Sequence, residues 1–316
     1  MCLRGGKIMK KKYVSQEFKF GDIGHNNYNF VDVAVNDDNK MFIDPCLIEF
    51  SDDEWTKNAN IVMMSFFNKL FEAYHKQDDS LIMELLSHAG EQNGTRFGYG
   101  KGYNGKGNTA EGLMQIFHPL KGLIKDITTI SKPEDLPLLL PGFAEDGMSD
   151  LLTNILHGQL SKYTVDVFNS YGVASEKELS FYTWNVGEEK WKKVTKPSIF
   201  VEKKELLLGP KNIVRKKYLF GTGQYFSRII LERMIDEGGY RDSKGKAIPK
   251  KDIIKSKRYS GKHWKYDEVI NYSKKNNDSL EEYHRKLPGF YLDIGKSMSD
   301  EALDKTVYSP VRKQGN

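Results

Sequence analysis

The apolar residues of segment 55–74 recur at helical spacing. They are Ile61, Met64, Phe67, Leu70, Phe71 and Tyr74. Side chains three and four positions apart lie on one face of a helix. The spacing therefore predicts an amphipathic helix here, and a second one in "SLIMELLSHAG" that ends at Gly90.

Two further helices are predicted in the middle of the chain. The segment "NTAEGLMQIFHPL" opens with Asn108 and carries Glu111 three residues later, which resembles a capping box. An irregular connector follows at 131–147, with three prolines and two glycines. After it, "MSDLLTNILHGQLSKYTVDVF" predicts one long amphipathic helix with Ser149 as its N-cap.

Alternating apolar and polar residues predict strands in two parts of the chain. The segments "YNFVDVAV" and "MFIDPCLI" flank the turn "NDDNK" and predict a β-hairpin, with Pro45 at a strand end. A second hairpin is predicted around Val186 and Gly187. Another strand is predicted in "SIFVEKKELLLGPK", ending at Pro210.

The order of these elements is strands, helices, strands, helices, with a further helix at 222–236. It predicts an α+β (mixed α/β) fold, with a small central sheet, flanking helices and a basic, mainly helical C-terminal part. We place an α+β core domain at 1–240 and the basic helical region at 241–316. The regular βαβ alternation of a doubly wound fold is not visible in the pattern.

Composition argues against several classes of protein, including disulfide-rich, membrane-spanning, secreted and zinc-binding ones. Cys2 and Cys46 are the only cysteines, so a disulfide framework is excluded and a reducing cytoplasm fits. No apolar run approaches the roughly 18–20 residues that a membrane helix needs. The basic N-terminus lacks the apolar segment of a secretory signal. The 7 histidines form no cluster with cysteine, which argues against a zinc site.

The charge of the chain is divided unevenly. Residues 1–188 hold 18 Lys+Arg and 26 Asp+Glu, whereas residues 189–316 hold 30 and 17. In the basic part, "KRYSGKHWKYDEVINYSKK" interleaves cations with aromatic rings and begins with Lys257 and Arg258. Phosphates attract cations and bases stack on rings, so we expect a nucleic-acid partner. The alternative is a lysine-rich, solvated surface.

A glycine-rich stretch, "GYGKGYNGKGNTAEGL", precedes the helix that starts near residue 108. It contains GxxxxGK, but Gly107 stands where a P-loop needs a hydroxyl, and no buried strand precedes it. A P-loop NTPase is therefore excluded. Lys101 and Lys106 remain candidates for contact with a nucleic-acid backbone, the alternative being a plain surface loop.

Acidic residues supply candidate ligands for Mg²⁺, which prefers carboxylates. Glu145, Asp146 and Asp150 lie within six residues at a helix start, and Asp150 is the leading candidate. The alternative is stabilisation of the helix dipole by acids near its N-terminus. Glu91, just after a predicted helix, is a second candidate ligand.

The segment "VEKKELLLGPKNIVRKK" carries a third set of candidates. Glu202 and Lys204 fit an ExK pair whose i, i+2 spacing puts both side chains on one strand face. Such a pair serves metal-dependent phosphodiester hydrolysis, the acid holding the metal and the lysine offsetting charge. Alternatively Lys211, past a buried strand at 206–208, reaches the site, with Arg215 and Lys216 on the nucleic acid.

The blocks "GMSDLLTNILHGQLSKYT" and "LLLGPKNIVRK" resemble blocks of uncharacterised bacterial proteins encoded among anti-phage defence genes. The resemblance covers about the middle third of the chain. It implies a defence role and a restriction-endonuclease-like (PD-(D/E)xK) core, with weight on Asp150, Tyr163, Thr164, Lys211 and Arg215. The long helix and the hairpin between Asp150 and Glu202 depart from that pattern, which usually has only a short connection there.

Two functions follow as hypotheses. The first is a cytoplasmic, Mg²⁺-dependent nuclease or nuclease-like effector of a defence system, with Asp150 as metal ligand. The second is a non-catalytic nucleic-acid sensor or adaptor subunit of a defence complex, whose acidic part meets a protein partner or a second copy of the chain. Metal dependence of any cleavage separates the two.

Overall fold

The structure is a computed structural model that describes residues 11–91, 93–98, 109–175, 177–256, 259–293 and 297–308. Its first half is mainly helical. In chain order the elements are α1 (Val14–Glu17), β1 (Phe42–Ile43), α2 (Pro45–Phe50), α3 (Glu54–Lys76), α4 (Asp79–Leu86), α5 (Ala110–Phe117), α6 (Leu120–Asp126), α7 (Asp135–Leu139), α8 (Glu145–Ile155) and α9 (His157–Ser170).

Helices α3 and α4 confirm the two helices predicted first. Asp53 caps α3 by accepting a hydrogen bond from Thr56 N at 3.0 Å. Phe67 and Leu70 of α3 are fully buried, as the periodic spacing predicts, whereas Ile61, assigned to the same apolar face, is exposed. Helix α4 ends at Leu86, one turn before the predicted end at Gly90.

The helix after the glycine-rich stretch is α5, and its N-cap differs from the prediction. Thr109 Oγ1 accepts a hydrogen bond from Gly112 N at 3.0 Å, so Thr109 is the cap. Asn108 lies outside the described residues. Thr and Asn are both common N-cap residues, so the sequence alone did not distinguish between the two adjacent positions.

The long helix predicted after residue 147 is two helices. Helix α8 begins at Glu145, and Leu156, with φ −92° and ψ 11°, separates it from α9. Ser149 is therefore not an N-cap. Its Oγ lies inside α8 and accepts a hydrogen bond from Ile43 N at 3.1 Å, which joins α8 to β1.

Three strands form an antiparallel sheet in the order β2-β3-β4: β2 (Lys177–Asn185), β3 (Lys190–Val201) and β4 (Lys204–Leu206). The hairpin predicted around Val186 and Gly187 is confirmed, with Trp184 opposite Trp191. Both indole rings pack on Phe66 of α3, at centroid distances of 5.1 and 5.6 Å. This aromatic contact holds the sheet against the helices.

The first predicted hairpin is wrong. Residues 28–35 form no strand, and β1 pairs antiparallel with β5 (Val214–Arg215), far along the chain. The alternation of apolar and polar residues at 28–35 does not reflect a strand with one buried face and one face exposed to water. Asp32, a polar member of the pattern, is completely buried by partners from elsewhere in the chain.

The second half of the described chain ends in helices. They are α10 (Thr222–Tyr225), a π-helical turn (Phe226–Ile230), α11 (Leu231–Asp236), α12 (Lys250–Ile254), α13 (Trp264–Lys275), α14 (Asp278–Leu292) and α15 (Asp300–Val307). The helix predicted at 222–236 is thus present, with a π-helical turn inside it. The fold is α+β, with small antiparallel sheets flanked by helices and a mainly helical C-terminal part.

Helix α15 packs on the start of the described chain through the His25 cluster, which we define as Ser15, His25, Asp32, Asp304 and Tyr308. His25 is fully buried, and its Nδ1 lies 2.6 Å from Asp304 Oδ1. The Asp32 carboxylate accepts hydrogen bonds from Ser15 N, Ser15 Oγ and the Tyr308 hydroxyl, at 2.8, 2.6 and 2.8 Å. The cluster connects residues nearly 300 positions apart.

Two observations bear on the setting of the protein. Cys46 has a free, buried thiol. None of the described helices has both the length and the apolar character required to cross a membrane. The division at residue 240 stays a prediction.

Candidate functional site

A cleft of about 590 Å³ opens where the N-terminal end of α8 approaches α10 and α13. We call it the cleft and define it by its lining residues in three segments, 137–145, 217–224 and 262–266. Each segment lies at or just before the start of a helix. The cleft is thus assembled from parts that are distant in sequence.

Cations dominate the charge of the cleft. Lys217 comes from the second lining segment, and Lys262 and Lys265 come from the third. All three side chains are exposed, and none forms an ion pair with another described residue. Glu145 is the one acidic residue among the described lining residues. The cleft therefore suits an anionic ligand.

Two aromatic side chains form the inner wall of the cleft. Tyr218 and Phe220 are buried and stack at a centroid distance of 4.6 Å. The Tyr218 hydroxyl lies 2.6 Å from Ile43 O and 3.1 Å from Glu145 O. Burial, and next the Asp44 carboxylate, raise the pKa of Tyr218, so the hydroxyl stays protonated and ties this wall to α8.

Trp264, the first residue of α13, also lines the cleft and is half-buried. Its ring packs edge-on against Phe226 at 5.2 Å and tilted against Tyr259 at 5.0 Å. Lys265 Nζ lies 5.6 Å from the Trp264 ring centroid, a cation–π distance. A rigid aromatic surface and a cation therefore stand side by side in the cleft.

Two glycines, Gly221 and Gly223, also line the cleft and place no side chain in it. Gly221 has φ +154°, a conformation that L side chains rarely adopt. A Cβ added at Gly223 would lie 3.8 Å from Lys265 Nζ. Without side chains at these positions, a ligand can approach the backbone at the start of α10.

Of the acidic residues of α8, Glu145 lines the cleft, and Asp146 and Asp150 follow it along the helix. Asp146, Asp150 and Asn154 are four residues apart and share one face of the helix. A Cβ added at Gly98 would lie 3.0 Å from Asp146 Oδ1, and Asn154 Nδ2 donates to Gly90 O at 2.6 Å. This face of α8 therefore lies against Gly90 and Gly98. Lys101 and Lys106, in the glycine-rich stretch that follows, lie outside the described residues.

The described residues contain no group of three or more His, Cys, Asp or Glu side chains arranged to hold a metal ion. Mg²⁺ needs fewer protein ligands, because one or two carboxylates together with substrate phosphates and water complete its octahedron. Asp146 and Asp150 fit that requirement by their spacing. Glu91 is exposed and accepts a hydrogen bond from Asn93 Nδ2 at 3.1 Å.

The ExK prediction required Glu202 and Lys204 to lie in one strand, and this requirement is not met. Glu202 and Lys203 form the turn between β3 and β4, with φ +50° and +68°, and Lys204 only begins β4. Glu202 and Lys204 are exposed and do not share one strand face. The chain reverses inside the segment that was expected to be one strand, because β3 continues to Val201 and pairs with β4.

Lys211 does not face the cleft, contrary to expectation. Its Nζ donates to Asp300 Oδ1 at 2.8 Å and to His25 O at 3.0 Å, so it holds α15 in place. Arg215 lies in β5, with its guanidinium 5.7 Å from the Tyr291 ring centroid. Burial raises the pKa of the nearby Asp44 carboxyl to about 6, although Tyr291 and Arg215 act in the opposite direction.

The remaining sequence candidates divide into two groups. Lys216 is exposed and is not among the residues that line the cleft. Lys257 and Arg258 lie outside the described residues, but the same basic, aromatic stretch supplies Lys262, Trp264 and Lys265 to the cleft.

Sequence reasoning missed Lys217, Tyr218 and the two glycines of "GTG". The signal was present as a lysine and two aromatic residues directly before a pair of glycines at a helix start. It was weak, because nothing in the local pattern showed that residues 262–266 would lie opposite.

Comparison with known proteins gives one match. A family model described as "Domain of unknown function (DUF8370)" matches residues 22–220. Searches of curated proteins and of solved structures found no match. The matched stretch ends at Phe220, within the wall of the cleft.

Proposed function

We propose that this chain, which belongs to the DUF8370 family of unknown function, binds nucleic acid in the cleft. The observation that carries the proposal is the placement of three lysines, none in an ion pair with a described residue, around one aromatic cleft. Lys217 comes from one segment and Lys262 and Lys265 from another, so the fold has gathered the cations rather than spread them over the surface.

The chemistry of the cleft matches the two parts of a nucleotide. Lysine ammonium groups attract phosphates, and aromatic rings such as Trp264 provide surfaces on which bases stack. A single acid, Glu145, lines the same cleft, so repulsion of a phosphate is limited to one carboxylate. The strongly basic balance of residues 189–316 adds a long-range attraction.

Salt dependence tests the proposal. Fluorescence anisotropy of labelled DNA and RNA oligonucleotides, measured in EDTA over a salt series, gives the slope of log affinity against log salt. Replacing Lys217, Lys262 and Lys265 with Ala should lower the magnitude of that slope by about 2 and weaken all sequences alike.

The matched control is the triple variant of Lys57, Lys196 and Lys275, which are exposed and lie outside the cleft lining. It loses the same charge and should change the slope far less. Equal effects of the two triple variants would mean that binding depends on net charge alone, and the cleft proposal would be withdrawn.

A second candidate function is Mg²⁺-dependent hydrolysis of phosphodiesters at the acidic face of α8. The spacing of Asp146 and Asp150, together with the position of Glu145 in the cleft, favours it. Mg²⁺ would activate a water molecule and stabilise charge on the phosphate, and the two aspartates would hold the ion. The cleft lysines would orient the strand.

A cleavage assay with Mg²⁺, Mn²⁺ or EDTA decides between binding and hydrolysis. Asp150→Asn keeps the size of the side chain and should lower the cleavage rate at least a hundredfold while binding persists. Asp166→Asn, at an exposed aspartate of α9, is the control and should cleave as the native chain does. Undiminished cleavage by Asp150→Asn would remove Asp150 from the reaction.

The defence role is supported by the resemblance of residues 147–164 and 206–216 to proteins encoded among anti-phage defence genes. In that setting the cleft would belong either to an effector that cleaves nucleic acid or to a sensor or adaptor subunit of a complex. Absence of product with every metal, combined with salt-sensitive binding, would favour the sensor or adaptor.

A further inference from the structure

The size of the cleft limits which form of nucleic acid can enter it. A volume of about 590 Å³ lies in the range of roughly 300–1,000 Å³ in which proteins enclose small ligands. A duplex is wider than such a space, since its major groove alone, about 12 Å across, admits a whole α-helix. The cleft can therefore take in about one or two nucleotides, whereas a closed base-paired segment would have to lie across its opening.

The aromatic wall makes the same distinction by a different route. In a duplex, both faces of a base are covered by neighbouring bases, so an aromatic side chain stacks only on bases that are unpaired and splayed out. Trp264 is half-buried, and packing against Phe226 and Tyr259 holds its ring in place. An indole held in this way needs little ordering when a base stacks on it.

The charged groups lie where the backbone of such a strand would pass. Lys265 Nζ lies near Gly223 and over the Trp264 ring, and Lys217 lines the same cleft. A phosphate next to a base on Trp264 would thus meet cations from two segments of the chain. The glycines at 221 and 223 leave the backbone at the start of α10 open to the ligand.

We infer that the cleft encloses an unpaired nucleotide, so that the ligand is single-stranded DNA or RNA or the unpaired end of a duplex. The inference rests on the proposed function, because it assumes that nucleic acid occupies the cleft. It adds strandedness, which the charge of the cleft alone does not specify.

The experiment compares strand forms on the full-length chain. Anisotropy in EDTA would be measured with a labelled 12-nucleotide DNA, the same sequence in RNA, and a blunt DNA hairpin with the same number of phosphates. We expect both single strands to bind at least tenfold more tightly than the hairpin. Addition of an unpaired overhang to the hairpin should restore the tight binding.

Two substitutions of Trp264 test the stacking contact. Trp264→Phe keeps an aromatic face and should retain most of the single-strand affinity. Trp264→Leu keeps apolar packing against Phe226 but loses the face, and should weaken single strands on the order of tenfold while the hairpin is unchanged. If Trp264→Leu does not fold, Trp264→Phe and the strand preference of the native chain still decide the matter.

The outcomes distinguish nucleic-acid binding in the cleft from the preference for unpaired nucleotides. Equal affinity for single strands and the blunt hairpin, sensitive to the cleft lysines, would overturn the inference and leave nucleic-acid binding in place. No binding of any oligonucleotide would overturn both. A preference for one sugar, DNA or RNA, would support the inference and identify the strand.

Discussion

The His25 cluster and the cleft are both polar, yet they differ in how their polar atoms are paired. In the His25 cluster, the Asp32 carboxylate accepts three hydrogen bonds and His25 is fully buried with both ring nitrogens engaged. In the cleft, Lys217, Lys262 and Lys265 are exposed and form no ion pair with a described residue. Fully paired buried groups hold a fold, whereas unpaired charges on a wall remain available to a ligand.

Removing the central acceptor of the His25 cluster should produce the largest change in stability. Asp32→Ala leaves buried Ser15 N without its acceptor and removes the partner of the Ser15 and Tyr308 hydroxyls. We expect the free energy of unfolding to fall by about 3 kcal/mol, measured by urea denaturation. Asp37→Ala, at an exposed aspartate nearby, should cost less than about 0.5 kcal/mol. Similar losses for both variants would show that the cluster is not a special source of stability.

Glu134 combines features of the His25 cluster and of the cleft. It is buried like the cluster, but its Oε1 has no hydrogen-bond partner among the described residues. Burial, and then the Asp135 and Glu49 carboxylates, raise the pKa of Glu134 to about 8. Lys132 and His284 act in the opposite direction, and buried Cys46 lies in the same region. The folded chain therefore holds this proton more tightly than the unfolded chain does.

The sign of the pH dependence follows from that preference. Stability from Glu134 is present near pH 4.5 and is lost as pH rises towards 8, so unfolding becomes easier across this window. Glu134→Gln should remove a loss on the order of 4 kcal/mol between pH 5 and pH 8, measured by denaturation at several pH values. Glu178→Gln, at an exposed position of β2, should leave the slope as it is. An unchanged slope in Glu134→Gln would contradict the assignment.

Lys211 and Lys217 provide the smallest and most direct test of the comparison. Lys211→Met removes the contacts with Asp300 and His25 O and should cost about 1 kcal/mol of stability, with oligonucleotide affinity unchanged. Lys217→Met should do the reverse, weakening binding while stability stays within about 0.5 kcal/mol. If Lys211→Met instead weakens oligonucleotide binding and leaves stability unchanged, Lys211 is a binding residue and the comparison fails.

The local parts of the fold could be predicted because their causes are local. The apolar spacing of α3 and the turn between Trp184 and Trp191 are properties of neighbouring residues. The pairing of β1 with β5 is not, because the two strands are about 170 residues apart. Alternation at 28–35 was misleading because the polar Asp32 finds its partners in Ser15 and Tyr308 rather than in water.

The site was predictable in its residue types more than in its arrangement. The basic, aromatic stretch at 257–275, singled out by its composition, supplies five of the residues that line the cleft. Lys211 resembled a site lysine because it follows a buried strand, and only the fold shows its partner Asp300, 89 residues later. A lysine that pairs within the chain and one that awaits a ligand are identical in sequence.

The position of the cleft relative to Phe220 has a consequence for evolution. One wall carries Lys217 and Tyr218 from the family-matched stretch, and the other carries Trp264 and Lys265 from helices beyond it. A chain that kept residues like 22–220 but acquired different helices afterwards would retain the first wall and present a new second one. Ligand choice could then diversify by exchange of the C-terminal helices, while the scaffold that folds around α3 and α8 stayed the same.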